Sequence, residues 1–306
     1  MAALACSKPF TAGPGGDAGD GGATASQGGG TSSSGGTETS GGATAAGAGG
    51  MEDAGAGGSA EPGTGGSTSN PAGYAEAILA AKPLAYWRMG IESGLVVSDE
   101  TGREKNALLL QGSGHQLSVA GALHAGDDGA IAFDGESSFA MAESPRLFDF
   151  NAGAAFSLEC WARRENGGSS YFQHLLSNTV GTPGDRTGFM LYTLPAPGSG
   201  DAARSAFEYD APGDETGLWG DLPTASQWAY YVAVYDGSAV TLYVDATLAD
   251  SKPTEALLAA RMGPFTVARA SDGGAFFKGA LDEIAIYGRA LGASEIVRHF
   301  ELASAP

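Results

Sequence analysis

Residues 227–245 read QWAYYVAVYDGSAVTLYVD. Two runs rich in Val, Tyr and Thr flank Asp236-Gly237, a pair that tolerates positive φ and suits a tight reversal, so the stretch predicts a β-hairpin. Along its first arm Trp228, Tyr230, Val232 and Val234 share one side, while Ala229, Tyr231, Ala233 and Tyr235 share the other. Neither side is polar. Both must therefore be covered, as in the middle of a two-layer sandwich or beneath loops crossing a concave sheet.

Short segments of the same kind recur outward from this hairpin, at 107–110, 130–133, 139–142, 156–162, 172–176, 189–192, 205–209 and 265–268. Near the start of the aromatic-rich part, a helical run over 74–82 is stopped by Pro83 and gives way to a strand over 85–89. Asp134-Gly135 reads as a second tight hairpin. Many short strands punctuated by turn residues predict an all-β, two-sheet antiparallel sandwich. The last segment, FKGALDEIAIYGRALGASEIVRHF at 277–300, predicts a strand over 277–287. A helix over 293–301 follows, with Ile296, Val297 and Phe300 in one apolar stripe and Ser294 placed to cap it. The strand carries two neighbouring acids, Asp282 and Glu283, which regular alternation would aim at opposite faces.

The chain is 306 residues long and divides into two unlike parts. Residues 7–72 are nearly all Gly, Ser, Thr, Ala, Asp, Glu and Pro, too poor in apolar area to offset chain entropy, so 1–72 is expected to be a disordered tail. Residues 73–306 hold every Trp and Tyr and can build one sizeable core. The net charge is −19; the first 72 residues carry one Lys against six acids, which leaves −14 on the remainder. An acidic surface repels phosphate backbones and anionic headgroups, so nucleic acid and charge-driven membrane binding are disfavoured. No apolar run reaches the roughly 18 residues that a spanning helix needs.

The sequence opens MAALACSKPF, with small residues before Cys6 and a polar, Gly-rich stretch after it. This resembles the end of a bacterial lipoprotein signal peptide, whose cysteine is lipidated, with the basic and apolar parts lying upstream of the first residue given. Lipidation of Cys6 would be the one link to a membrane. By the same resemblance, Ser7 suits the outer membrane, with the domain at the cell surface or in the periplasm. As a flexible coil, residues 7–72 would reach about 45 Å from the anchor. Cys160, in the apolar run FSLECWARR, is expected to be a small buried hydrophobe.

Six motifs in order, AYWRMG, SDETGREKNALL, GALHAGDDGAIAFDG, FSLECWARR, QWAYYVAVYDGSAVTLYVD and FKGALDEIAIYGRALGASEI, resemble the LamG-like jellyroll family of the concanavalin A-like lectin/glucanase superfamily. The resemblance covers about 74–302 and implies two curved antiparallel sheets stacked as a jellyroll. It implies a structural calcium ion at the sandwich edge, with Asp99 and Asp282 as the side chains in matching positions and backbone carbonyls near Gly102 and Asn106 completing the shell. The rival reading has Asp282 bonding backbone N–H groups or Arg289. Ala246 stands where the family has a turn Gly, which suggests that its hairpin uses a different turn.

Catalysis is not encoded in any recognisable grouping. Superfamily glycosidases set carboxylates at alternate positions of one strand, but there is no E-x-D-x-E or E-x-D-x-x-E here, and Glu159 is a lone acid. The four histidines, at 115, 124, 174 and 299, are scattered, and no nucleophile elbow or phosphate-binding loop occurs. The resemblance instead implies a non-catalytic, surface-displayed module that binds carbohydrate or a protein partner, with Tyr192, Tyr209 and Trp219 as candidate aromatic platforms. Trp219 lies in the Gly-rich ETGLWGDLP, read as a loop. The rivals are a divergent glycoside hydrolase of the same superfamily and a structural or adhesion component of the cell envelope.

Overall fold

The computed structural model describes residues 73–305, apart from 104–105, 126–128, 145–152, 169, 182–184, 195–203, 212–213 and 255–262. The expected tail over 1–72 and the expected lipidation site at Cys6 lie outside the described residues. The chain enters through helix α1 (Tyr74–Ala80) and then forms β1 (Ala85–Trp87), β2 (Val96–Val97), β3 (Leu108–Gln111), β4 (Gln116–Val119), β5 (Ala130–Asp134) and β6 (Phe139–Ala142). The middle holds β7 (Phe156–Arg164), β8 (Gln173–Ser177), β9 (Gly188–Leu194), β10 (Arg204–Ala211), β11 (Asp214–Asp221) and β12 (Trp228–Tyr235). Strands β13 (Ala239–Val244), β14 (Thr247–Pro253), β15 (Thr266–Val267) and β16 (Lys278–Tyr287) and helix α2 (Ala293–Ser304) complete it.

The strands form two eight-stranded antiparallel sheets stacked as a jellyroll sandwich. One runs β14-β13-β12-β7-β16-β5-β4 with β1 also paired to β16, and the other runs β11-β10-β9-β8-β15-β6-β3-β2. Asp236-Gly237 makes the hairpin that its sequence predicts: Gly237 takes φ +101°, and Asp236 Oδ1 accepts the backbone N–H groups of Ser238 and Ala239. Asp134-Gly135 does not. Its flanking strands β5 and β6 belong to different sheets, so the turn carries the chain across the sandwich. Asp134 holds that crossing by accepting the N–H groups of Glu136, Ser137 and Ser138.

Alternation along β12 explains the layering. Ala229, Tyr231, Ala233 and Tyr235 enter the core between the sheets, with Phe156, Phe189 and Phe207 among their companions. Tyr230, Val232 and Val234 face the other way and pack beneath Tyr74 and Ile78 of α1 and Ile296 and Ala303 of α2. The second apolar side is therefore covered by helices. Cys160 lies in the inter-sheet core as a free thiol, and burial pushes its pKa up.

Helix α2 is capped by the extended Gly292, and Ser294 sits inside its first turn without a capping bond. Its buried side is Ile296, His299 and Ala303, with Phe300 stacked on Trp161 at 5.7 Å, while Val297 turns outward. Arg289 pairs with Glu295 at 2.6 Å and donates to the Ala81 carbonyl at 3.0 Å, which ties α2 to the end of α1. Among the described residues, no helix is long and apolar enough to cross a membrane.

At the β13–β14 turn, Asp245 and Ala246 both take positive φ, 49° and 57°. The different turn expected for Ala246 is not used: the reversal keeps left-handed geometry at both central positions, with alanine in it.

Candidate functional site

The outer face of the second sheet carries a cleft built by alternation along three neighbouring strands. Phe189 and Leu191 of β9, Phe207 of β10 and Leu218 of β11 point into the core. Met190, Tyr192, Leu194 and Ala206 point outward and form a separate apolar cluster. Register then sets a row across the strands, because Ala206 pairs with Tyr192 on one side and with Trp219 on the other. Ala206 and Tyr192 are buried, 0% and 1% exposed, so Trp219 is the member of this row that meets solvent.

Polar groups sit close to the rings. The Tyr192 hydroxyl donates to the Glu208 carboxylate, and the Arg204 guanidinium lies 5.0 Å from the centre of the Trp219 ring. Tyr171 and Phe172, an edge-to-face pair with centroids 4.8 Å apart, stand at the mouth, each 43% exposed. Together with Leu194 these residues line a hollow of about 340 Å³. Trp219, 37% exposed, also borders a larger hollow of about 760 Å³ at the rim, where Trp228 and Leu248 join it. The exposed rings of Trp219, Tyr171 and Phe172, beside Arg204 and Glu208, suit a ligand that is apolar on its C–H faces and polar around its edge.

Of the three aromatic candidates, the fold leaves Trp219 exposed, buries Tyr192 to 1% against His174 and Phe172 so that its ring is no open platform, and removes Tyr209. Tyr209 is fully buried between the sheets, 4.8 Å from Tyr235 and 6.2 Å from Phe156 between ring centroids, so it is a core side chain that no ligand can stack upon. Trp219 lies on strand β11, in an eight-residue register with β10, and the expected loop is absent. Tyr171, Phe172, Arg204 and Glu208 are the partners that the sequence reading missed. Glu208 offered a signal, because a lone acid alternating with Phe207 and Tyr209 marks which side of β10 meets solvent.

Asp99 and Asp282 were the candidate calcium ligands, and their oxygens are engaged by protein donors. Asp99 accepts the N–H groups of Tyr86 and Thr101, the Thr101 hydroxyl and the Asn106 amide, at 2.7–3.0 Å. Asp282 accepts the N–H groups of Ala122 at 2.8 Å and Glu283 at 2.9 Å. Donor hydrogens aimed at the carboxylates do not fit a cation shell, which requires oxygens. Among the described residues, no group of three or more His, Cys, Asp or Glu could hold a metal. The calcium expectation stands on the resemblance alone.

The neighbouring acids of β16 depart from simple alternation. The register with β7 shifts between Asp282 and Ala285, and Glu283, at φ +48°, is the extra residue of the bulge. Glu283 accepts the Tyr86 hydroxyl and faces Arg88 at 3.3 Å, while Asp282 lies opposite Trp161. Tyr86, Trp161 and Ala122 all belong to the layer beneath the helices, so both acids serve the outer side of the first sheet instead of opposite faces. Both are fully buried. Glu159 is likewise buried beneath α2, where it accepts the Tyr230 and Tyr287 hydroxyls. Burial first, and then the Glu159 charge, raise the pKa of both phenols and keep them as donors.

Comparison with known proteins places residues 126–297 in a match to the model of the concanavalin A-like lectin/glucanases superfamily. No curated protein matches the chain by sequence. Similar solved structures include the binding domain of botulinum neurotoxin serotype G, 12% identical with TM-score 0.51, over 72% of this chain and 51% of that one. The binding domain of Paraclostridial mosquitocidal protein 1 is 16% identical with TM-score 0.51, over 72% and 52%. Domain 4 of AbnA, a GH43 extracellular arabinanase from Geobacillus stearothermophilus, solved with arabinotriose, is 18% identical with TM-score 0.48, over 73% and 98%. The chain spans about half the length of the two toxin binding domains.

Proposed function

The chain belongs to the concanavalin A-like lectin/glucanase superfamily, and from that premise we propose that it is a non-catalytic binding module whose outer-face cleft takes carbohydrate. The observation that carries the reading is that the exposed rings of Trp219, Tyr171 and Phe172 line one hollow together with Arg204 and Glu208. Sugar rings present C–H faces that stack on exposed aromatic rings, and Glu208 and Arg204 on the lining of the same hollow supply polar groups for hydroxyls. That two toxin domains of the same fold are named for binding is in keeping with the reading.

The non-catalytic part rests on the buried positions of Glu159, Asp282 and Glu283, the acids that a hydrolase reading would use. Display on a bacterial envelope, through a lipid on Cys6 and the arm 7–72, belongs to the same proposal; its support is the small residues before Cys6 and the Gly/Ser/Thr-rich composition after it. A glycan array with the intact protein and with Trp219→Ala tests the ligand class. Binding that Trp219→Ala weakens at least tenfold is expected. A blank array together with capture of a defined protein partner overturns the carbohydrate reading, and release of reducing sugar from any bound glycan overturns the non-catalytic one.

A further inference from the structure

We infer that Asn166 is a modification site of the folded protein: the backbone nitrogen of Gly167 displaces its side-chain amide as ammonia, and water leaves residue 166 as aspartate or isoaspartate. The substrate is the chain's own amide, so the inference does not depend on what the cleft binds.

The step balances with water as the only co-reactant. The Gly167 nitrogen gives its proton to hydroxide and bonds to Asn166 Cγ, the Cγ–Nδ2 bond breaks, and Nδ2 takes a proton from water and leaves as ammonia. A cyclic imide results. Water then opens it at Cγ, which gives aspartate, or at the backbone carbonyl of residue 166, which gives isoaspartate. Nucleophile and carbonyl belong to neighbouring residues of one chain, so the attack needs no bimolecular encounter.

The loop after β7 leaves the reacting atoms free. Asn166 and Gly167 are both exposed, so water and hydroxide reach them. Gly167 has no side chain to shield its nitrogen. Among the described residues its N–H has no acceptor, while its carbonyl accepts Gln173 Nε2 at 2.9 Å. On the other side, the Glu165 N–H donates to the Lys278 carbonyl at 2.9 Å. These bonds anchor the flanks of the step and not the nitrogen that reacts. Arg164 Nη1 donates to Asn166 Oδ1 at 3.4 Å, which leaves Nδ2 free and sets positive charge beside the oxygen that becomes negative as the nitrogen adds.

Comparable positions are closed. Asp134 and Asp236 also precede glycine, but an oxygen of each is held by backbone N–H groups of its own turn. After Asp272, the Gly273 N–H donates to the Ala270 carbonyl at 3.1 Å. All three are acids, whose ionised carboxylates resist a nucleophile and have no ammonia to lose. Asn106 and Asn178 are buried and precede alanine and threonine, whose side chains crowd the nitrogen.

The test is incubation of the full chain at neutral and mildly alkaline pH, folded and in urea, followed by peptide mass mapping with isoaspartate read by enzymatic methylation. In the folded protein, Asn166 is expected to react at least tenfold faster than Asn106 or Asn178, which react only after local opening. Its rate should rise in proportion to hydroxide and stay within about tenfold of the rate in urea, where no fold restrains it. Gly167→Ala, whose methyl group crowds the nitrogen, should slow the reaction at least tenfold. Asn166 reacting more than tenfold slower folded than in urea, Asn106 or Asn178 reacting first, or an unchanged rate in Gly167→Ala overturns the inference. The comparison of folded and unfolded native chain decides the matter even where the alanine variant folds poorly.

Discussion

Nδ1 of His299 on helix α2 stands 3.1 Å from the Glu159 carboxylate on strand β7. The same carboxylate accepts the hydroxyls of Tyr230 on β12 and Tyr287 on β16, so one buried acid joins three adjacent strands to the helix that covers them. The lone acid of the sequence is therefore a fixture of the covering layer.

Removing that acid leaves two phenols and an imidazole without their shared acceptor. Glu159→Ala is expected to destabilise the fold by about 3–5 kcal/mol, the usual cost of breaking one side of a buried polar network. Glu159→Gln keeps an acceptor oxygen and the shape of the side chain, and should cost about 1–2 kcal/mol. Urea denaturation of the three proteins measures the order; equal losses for Ala and Gln would mean that packing contributes nothing and that the carboxylate, with both oxygens accepting, is what Glu159 supplies.

Calcium is the next case. Because Asp99 and Asp282 spend their oxygens on N–H, hydroxyl and amide donors, neither is arranged to gain from a cation. The melting temperature is expected to be the same in millimolar EDTA and in millimolar CaCl₂. A fall in EDTA, restored by added calcium, would place a structural ion in the protein and require these carboxylates to rearrange.

Ala246 occupies a left-handed position, φ 57°, in the two-residue turn between β13 and β14. A Cβ there costs about 1–2 kcal/mol, part of which glycine gives back through the greater freedom of the unfolded chain. Ala246→Gly should stabilise the protein by about 1 kcal/mol, which for a domain of this size raises the melting temperature by about 2–4 °C. An unchanged or lower melting temperature would show that contacts of the methyl group with the layer beneath the helices outweigh the backbone strain.

What was legible in the sequence divides along physical lines. The two-faced apolar run at 228–235 announced a covered sheet, and the short strands along the chain followed from alternation, whereas Asp134-Gly135 misled because a turn pair does not say whether the chain reverses within a sheet or crosses to the other. Strand β11 was hidden because Gly217 and Gly220 weaken its intrinsic preference, while the eight-residue pairing with β10 that creates it is a long-range fact. The bulge at Glu283 was hidden too, since an inserted residue resets the alternation without changing the composition. In the cleft, Tyr192 was ambiguous because β9 is apolar on both sides, whereas Tyr209 could have been assigned to the core from the acid beside it at 208. His174 gave no sign at all: its environment is made by strands and loops distant in the chain.

That environment has a consequence for pH. His174 is stacked on Tyr192, shares its hollow with Arg186, Glu208 and Asp272, and has a folded pKa of about 3 against about 6.5 in an unfolded chain. Above pH 6.5 the ring is neutral in both states and contributes nothing to the pH dependence. As pH falls through 6.5, the unfolded chain takes up a proton that the folded protein refuses until about pH 3, so stability declines across that window. The decline attributable to this one group reaches roughly 2–3 kcal/mol by pH 4.5. His174→Gln removes the titrating ring, and the difference in unfolding free energy between it and the native protein should shrink by that amount between pH 7 and pH 4.5, other titrating groups cancelling in the comparison. A difference that stays constant over the range would mean that the imidazole takes up its proton in the folded state, and hence that the hollow around it is wetter than its burial indicates.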